Sequence, residues 1–401
     1  MPGRNFLFVP GPTHLPERVA RAMMVPSEDH RSVRFPELTF GLFEGLKRVF
    51  GCGEGEVFIY PSTGTGAWEA SLANTLSPGD KVLAPRFGHF SHLWIDMMKR
   101  LGLQVEVLET EWGGGASEDR IAQALRADKR HEIKGVMVVH NETATGVASD
   151  IAGVRRAMDE ARHPALLYVD AVSSLGSIDF RFSEWRVDLA VTGSQKGLML
   201  PAGLGIVCAS PRALAAETSA ALNRVFFSFA DMRKANATGY FPYTPSVPLL
   251  YGLRESLSML FDEGLDNVYA RHARFAHGVR EAVAAWGLAP CCRAPRWYSN
   301  TVTAVAVPPR VDAAAIIETA FRRYDLALGA GLGPLAGKVF RIGHLGDLNE
   351  LMLLGALAGA EMAMLDHGVP LRAGSGVAAA QTAWRRGSVA NREREVAALA
   401  A

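Results

Sequence analysis

The chain has 401 residues, 42 Lys+Arg against 41 Asp+Glu, and 49% hydrophobic residues. At roughly 100–200 residues per domain this is enough for two domains and a large buried core. The balanced charge argues against nucleic acid or an anionic membrane as main partner, because both demand a clustered basic excess. Four cysteines, Cys52, Cys208, Cys291 and Cys292, include no CxxC pair, and MPGRNFLFVPGPT lacks the apolar core of a secretory signal, so the chain reads as cytoplasmic with free thiols. The longest charge-free run, 235–253, is interrupted by Pro242, Pro245 and Pro248 and predicts no membrane span.

In chain order, seven β-rich runs stand out: VFIY (57–60), KVLA (81–84), QVEVL (104–108), GVMVV (135–139), ALLYVD (165–170), DLAVTG (188–193) and GLGIVCA (203–209). Between them AWEASLANTL, FSHLWIDMMKRLG, SEDRIAQALRA and DIAGVRRAMDEAR place apolar residues at i, i+3 and i+4. Apolar strands separated by amphipathic helices predict a mostly parallel, seven-stranded α/β sheet covered on both faces. After about Phe261 the texture changes to GLDNVYARHARFAHGVREAVAAWG, a strand-like TVTAVAV, VDAAAIIETAFRRY and LNELMLLGALAGAEMAMLDHG. The expected organisation is an N-terminal arm over 1–20, a large domain over 21–262 and a smaller α+β domain over 263–401, with the arm segment FLFVPGPT folding back onto the small domain. The Ala-rich tail from Ser388 reads as frayed.

Nucleotide motifs fail: Gly64-Thr65-Gly66-Ala67-Trp68-Glu69 lacks the third glycine of a dinucleotide fingerprint, and Gly337-Lys338 has Val339 where a P-loop needs Ser or Thr. His89 and His92 share a helical face without HExxH or a matching carboxylate, so no metal site is predicted. The loop PSTGTG (61–66), after strand VFIY and opening a helix, offers free backbone N–H groups, a positive helix end and hydroxyls suited to a phosphate. Taken alone, a plain glycine-rich turn with a Thr N-cap is the favoured reading. Asp170 ends the strand ALLYVD, and Lys196 lies in the turn Gly193-Ser194-Gln195-Lys196-Gly197 after the next strand. In an open parallel sheet, residues just past the strand C-termini share one crevice. A phosphate cradle, a carboxylate and an amine together match the phosphate, pyridine nitrogen and aldehyde of pyridoxal 5'-phosphate.

Beyond these residues, the chain resembles the class V aminotransferases of fold type I, and within them those that move an amino group from serine to glyoxylate. The likeness runs through FVPGPT, SEDHRSVRFP, PSTGTGAWEASLANTLSPGDKVL, FGHFSHLWIDM, VVHNETATGV, HPALLYVDAVSSLGS, TGSQKGLMLPAGLG, GYFPYTPSVPLLYGLRESL, GKVFRIGHLGDLNELMLLG and GSGVAAA. It implies pyridoxal 5'-phosphate held covalently by Lys196, which also shuttles the substrate proton. By the same resemblance Asp170 pairs with the ring nitrogen, Val172 packs under the ring and Phe90 stacks on it. Thr143 sits near the phenolic oxygen and the substrate. Thr63, Gly64, Thr65, Gly66 and Gln195 bind the cofactor on its phosphate side, joined by Tyr243 and Thr244 from a second subunit of a homodimer. Arg341, in FRIGHLG, is the candidate for the substrate carboxylate, since a planar guanidinium grips one with two parallel hydrogen bonds.

Related enzymes use alanine or aspartate as donor. A side-chain carboxylate on the donor calls for a second cation, for which Arg31 and Arg34 are candidates. A cysteine desulfurase shares the fold but needs a mobile nucleophilic thiol, and Cys291 and Cys292 read instead as structural. A non-catalytic scaffold fits poorly with Lys196, Asp170 and Arg341 all present.

Overall fold

The computed structural model describes residues 4–386. The chain opens with strand β1 (Phe6–Phe8) and helices α1 (Glu17–Met23) and α2 (Phe35–Phe50). There follow β2 (Glu56–Pro61), α3 (Gly64–Ala73), β3 (Lys81–Arg86), α4 (His89–Arg100), β4 (Gln104–Glu109), α5 (Glu118–Ala127) and β5 (Ile133–Val139). A short hairpin, β6 (Asn141–Glu142) and β7 (Val147–Ala148), precedes α6 (Ile151–Glu160), β8 (Leu166–Asp170), β9 (Leu189–Gly193) and β10 (Leu204–Ala209). Helices α7 (Pro211–Ala216), α8 (Phe229–Asn236), α9 (Val247–Glu263) and α10 (Leu265–Ala285) lead into β11 (Ala289–Pro290), β12 (Val302–Ala306), α11 (Ala313–Tyr324), β13 (Leu326–Ala330), β14 (Val339–Gly343) and α12 (Glu350–Asp366).

All seven β-rich runs of the first 209 residues enter one sheet, in the order β2-β10-β9-β8-β5-β3-β4. Its neighbours pair in parallel except β10, which runs antiparallel to both β2 and β9. Strands β9 and β10 are buried at every position, which is why their sequences read as unbroken apolar runs, whereas edge strand β4 keeps an exposed residue at each end. The covering helices start where local caps allow: the Ser117 hydroxyl accepts from the Arg120 N–H, and the Asp150 carboxylate accepts from the Gly153 N–H. Helix α2 is an addition that the strand–helix alternation did not announce. It buries Leu38, Leu42, Phe43, Leu46, Val49 and Phe50 and ends at Gly51, whose φ of 65° suits a residue without Cβ.

A second sheet, β1-β13-β14-β12-β11, has its own cluster of buried apolar residues, including Phe275, Val279, Ile316, Leu326, Phe340 and Leu357. The N-terminal segment does fold back onto it: Phe6, Leu7 and Phe8 pair in parallel with Leu326, Ala327 and Leu328. Helix α1 runs through residue 20, where the arm was expected to end. Helix α10 links the two clusters, with Val268 in the first and Phe275 in the second. The tail from Ser388 lies outside the described residues. Among the described residues no helix is long and apolar enough to cross a membrane.

Candidate active site

Because β2 and β9 both oppose β10, they point the same way, and β8 runs parallel to β9. The segments just past their C-terminal ends therefore meet at one edge of the sheet. There Thr63, Gly64, Thr65, Phe90, Thr143, Asp170, Val172, Gln195 and Lys196 line a crevice of about 530 Å³, together with Trp68, Asn141 and Ser173.

The loop at residues 61–66 opens α3. Thr63 holds the N-cap position in extended conformation, yet its hydroxyl makes no cap bond, so the plain capping reading fails and the side chain is left for another partner. The first intrahelical bond is Ala67 N–H to Thr63 C=O, 3.0 Å, which leaves the N–H groups of Gly64, Thr65 and Gly66 as donors at the positive helix end. Gly66 does not line the crevice, but a Cβ there would fall 2.0 Å from Ser62 Oγ and 2.9 Å from Phe227 Cζ, so only glycine lets the helix begin this tightly.

Asp170 is the last residue of β8, buried, with Oδ1 accepting from the Val172 N–H at 2.8 Å. Burial lifts its pKa from 3.8 to about 7, with the Val172 N–H pulling down and nearby Glu142 pushing up. Among the described residues no cation forms a salt bridge with it. The buried Trp68 indole N–H points toward Asp170 outside strict hydrogen-bond geometry, and it too draws the Asp170 pKa down. The oxygens Asn141 Oδ1 and Gln195 Oε1 are likewise buried and unpartnered. The crevice wall thus carries unmatched acceptors and a buried carboxylate that forms no salt bridge, with the Lys196 charge nearby.

Lys196 is half-buried and donates to the Pro10 carbonyl of the N-terminal arm. Desolvation, assisted by the Arg341 charge and opposed by Asp170, lowers its pKa from 10.5 to about 8, so a sizeable neutral fraction exists near neutral pH. The arm is tied at this point: Thr13 N–H donates to the Gln195 carbonyl at 3.2 Å, and the Thr13 hydroxyl to the Lys196 carbonyl at 3.3 Å.

Arg341, on β14, lies behind the Thr143 wall. Its Nη1 donates to the Thr143 carbonyl at 3.1 Å and its Nε to the Ala330 carbonyl at 2.8 Å. Burial lowers its pKa to about 10, with Glu142 opposing the change. Two carbonyls orient the guanidinium, which does not itself line the crevice.

Other expected site residues stay apart in a single protomer. Tyr243 is exposed, stacked on Phe226 with its hydroxyl donating to the Val225 carbonyl at 3.3 Å, and Thr244 is exposed beside it. Arg31 and Arg34 are exposed and do not line the crevice. Neither Cys291 nor Cys292 lines it, and burial raises both thiols, Cys291 to about 11, which is the opposite of an activated nucleophile. Sequence reading missed Trp68, Asn141 and Ser173. Asn141 is held by Ser173 and by Thr301, 160 residues away, a contact with no signature in the sequence.

A sequence model of the family aminotransferase class-V matches residues 5–332. Serine–glyoxylate aminotransferase of Methylorubrum extorquens is 64% identical over 394 residues, covering 97% of this chain and 98% of that one. L-aspartate–glyoxylate aminotransferase of Paracoccus denitrificans is 54% identical, covering 98% and 100%. Among solved structures, pyridoxamine–pyruvate aminotransferase from Mesorhizobium loti matches with a TM-score of 0.89 at 28% identity, covering 95% and 97%. With the lysine, the strand-end carboxylate and the helix-end cradle gathered on a fold-type-I scaffold, the chain belongs to the class-V aminotransferase family.

Proposed function

We propose that the protein transfers the amino group of L-serine to glyoxylate, giving hydroxypyruvate and glycine, with pyridoxal 5'-phosphate as cofactor in a cytoplasmic homodimer. The observation that carries this reading is the meeting of Lys196, Asp170 and the first turn of α3 in one crevice. The donor set fits the cofactor. Three free helix N–H groups with the Thr63 and Thr65 hydroxyls suit a dianion, and an unpaired buried carboxylate suits a protonated ring nitrogen. When bound, the cofactor supplies an aldehyde that takes up the amino group and a ring that withdraws electrons from the substrate Cα.

The chain's residues do the rest. Lys196, whose lowered pKa makes its amine available, would hold the aldehyde and, once displaced by the substrate amine, would take the proton from the substrate Cα. Asp170 would keep the ring nitrogen protonated, Phe90 and Val172 would pack against the ring, and Thr143 would serve the phenolic oxygen. Arg341 grips the α-carboxylate of donor and acceptor alike. With the arm at 1–20, a large domain at 21–262 and a small one at 263–401, that carboxylate sits at the seam between domains. Tyr243 of the partner subunit and Thr244 of the partner subunit complete the phosphate side.

Serine as donor rests on likeness to the Methylorubrum extorquens enzyme, and the Paracoccus denitrificans relative keeps aspartate as the second reading. Initial rates with serine, alanine and aspartate against glyoxylate decide between them. Serine is expected to be fastest, with the parallel double-reciprocal lines of a ping-pong reaction, and negligible serine turnover rejects the assignment.

Arg341→Ala is expected to lower kcat/KM for amino and oxo acids alike by about 2–4 kcal/mol, as for truncating one member of a desolvated ion pair, chiefly through KM. Unchanged kinetics would remove Arg341 from the site.

A further inference from the structure

Helix α4 has an unusual start. Its N-cap is Gly88, which has no side chain to satisfy the first-turn donors. Two of those donors, the N–H groups of Phe90 and Ser91, go instead to Glu142 Oε2, each at 3.0 Å, from about fifty residues further along the chain. Glu142 Oε1 accepts from the Ala144 N–H at 3.2 Å. The carboxylate is fully buried, and among the described residues no cation forms a salt bridge with it. A Cβ on residue 88 would sit 2.2 Å from Glu142 Cγ, so the glycine is what lets the carboxylate reach the helix end.

Burying a carboxylate costs several kcal/mol, which its hydrogen bonds and the positive helix end offset only in part, since desolvation leaves the Glu142 pKa above its ordinary value. A Ser or Asp at position 88 would cap the helix locally without that cost. A local cap, however, holds a helix only to itself. A cap borrowed from β6 fixes where the helix starts relative to the sheet. The residues on either side of Glu142, Asn141 and Thr143, both line the crevice, as does Phe90.

Building on the function proposed above, we propose that Glu142 is a positioning residue: it ties the first turn of α4, and with it the Phe90 ring, to the β6–β7 hairpin whose turn carries Thr143, and so sets one wall of the cofactor crevice. It acts through backbone bonds to the segment that holds the ring.

The tie and the charge are separable. In E142Q the amide oxygen still accepts both helix N–H bonds, while the charge and the bond from the Ala144 N–H are gone; in E142A the helix tie is lost as well. In cofactor-free protein, E142A is expected to speed amide hydrogen exchange at residues 90 and 91. It is also expected to weaken pyridoxal 5'-phosphate binding, followed by tryptophan fluorescence quenching, by about 10- to 100-fold, with E142Q within about threefold of the parent. In an F90A background E142A should add little further loss, because the two changes act through one wall. Should E142A fail to fold, E142D, one methylene too short to reach the helix end, takes its place with the same expected outcome. Equal weakening by E142Q and E142A, full additivity with F90A, or unchanged exchange at residues 90 and 91 would each overturn the proposal. Failure of the parent protein to bind pyridoxal 5'-phosphate would instead overturn the functional reading, and the exchange measurement tests the tie without the cofactor.

Discussion

Lys196→Ala is expected to abolish transamination, with turnover down by at least about 10⁴-fold, the upper range for one positioned acid–base group. In the proposed mechanism the amine has two tasks, holding the aldehyde and moving the Cα proton, and among the described residues no second lysine lines the crevice to take either. Cofactor should still bind to the variant without a covalent link, because the first turn of α3 and Gln195 are untouched. Borohydride treatment followed by peptide mapping should leave a pyridoxyl label on Lys196 in the parent protein and none in the variant. The pH dependence follows from the lowered pKa of about 8. Only the neutral amine attacks an aldehyde, so reloading of cofactor-free protein should accelerate as pH rises toward 8 and level off above it. A label at another side chain, or normal turnover of the alanine variant, would overturn the mechanism.

Asp170→Asn is expected to cost about 3–5 kcal/mol in kcat/KM, roughly 10²- to 10⁴-fold, the penalty for removing one member of a buried charge pair. The amide preserves shape and can still accept from the Val172 N–H, but it carries no charge to keep a ring nitrogen protonated. The same substitution has a second readout in cofactor-free protein. Desolvation raises the Asp170 pKa in the folded state from 3.8 to about 7. Stability from this group is therefore present below pH 3.8 and lost as pH rises through 7, where the folded protein must hold a buried charge. The Asn variant does not titrate, so its Tm relative to the parent should rise between pH 4 and pH 8. A Tm difference independent of pH would show that the carboxylate is not desolvated, and near-normal turnover would remove Asp170 from the ring nitrogen.

Much of this site was legible in the order of residues alone. Asp170 and Lys196 could be found because each sits at or just after the end of an apolar strand, and in a parallel sheet strand ends share an edge whatever the packing details. The loop at 61–66 was visible for the same reason, since a strand followed by a glycine-rich turn and a helix is a local pattern. The seven central strands and the helix pattern between them are short-range properties of burial, and they were readable as such.

What only the tertiary structure decided is how the surrounding groups are recruited. Pro10 meets Lys196 across 186 residues, Arg341 meets the Thr143 carbonyl across 198, and Asn141 meets Thr301 across 160. Glu142 lies within VVHNETATGV, yet nothing in that segment pointed to its role, because its partners are backbone N–H groups at the start of a distant helix. Such bonds depend on how elements stack and not on what neighbours each residue in sequence. The chain therefore announces the chemistry at its strand ends, while the fold alone determines how that chemistry is oriented, desolvated and held in place.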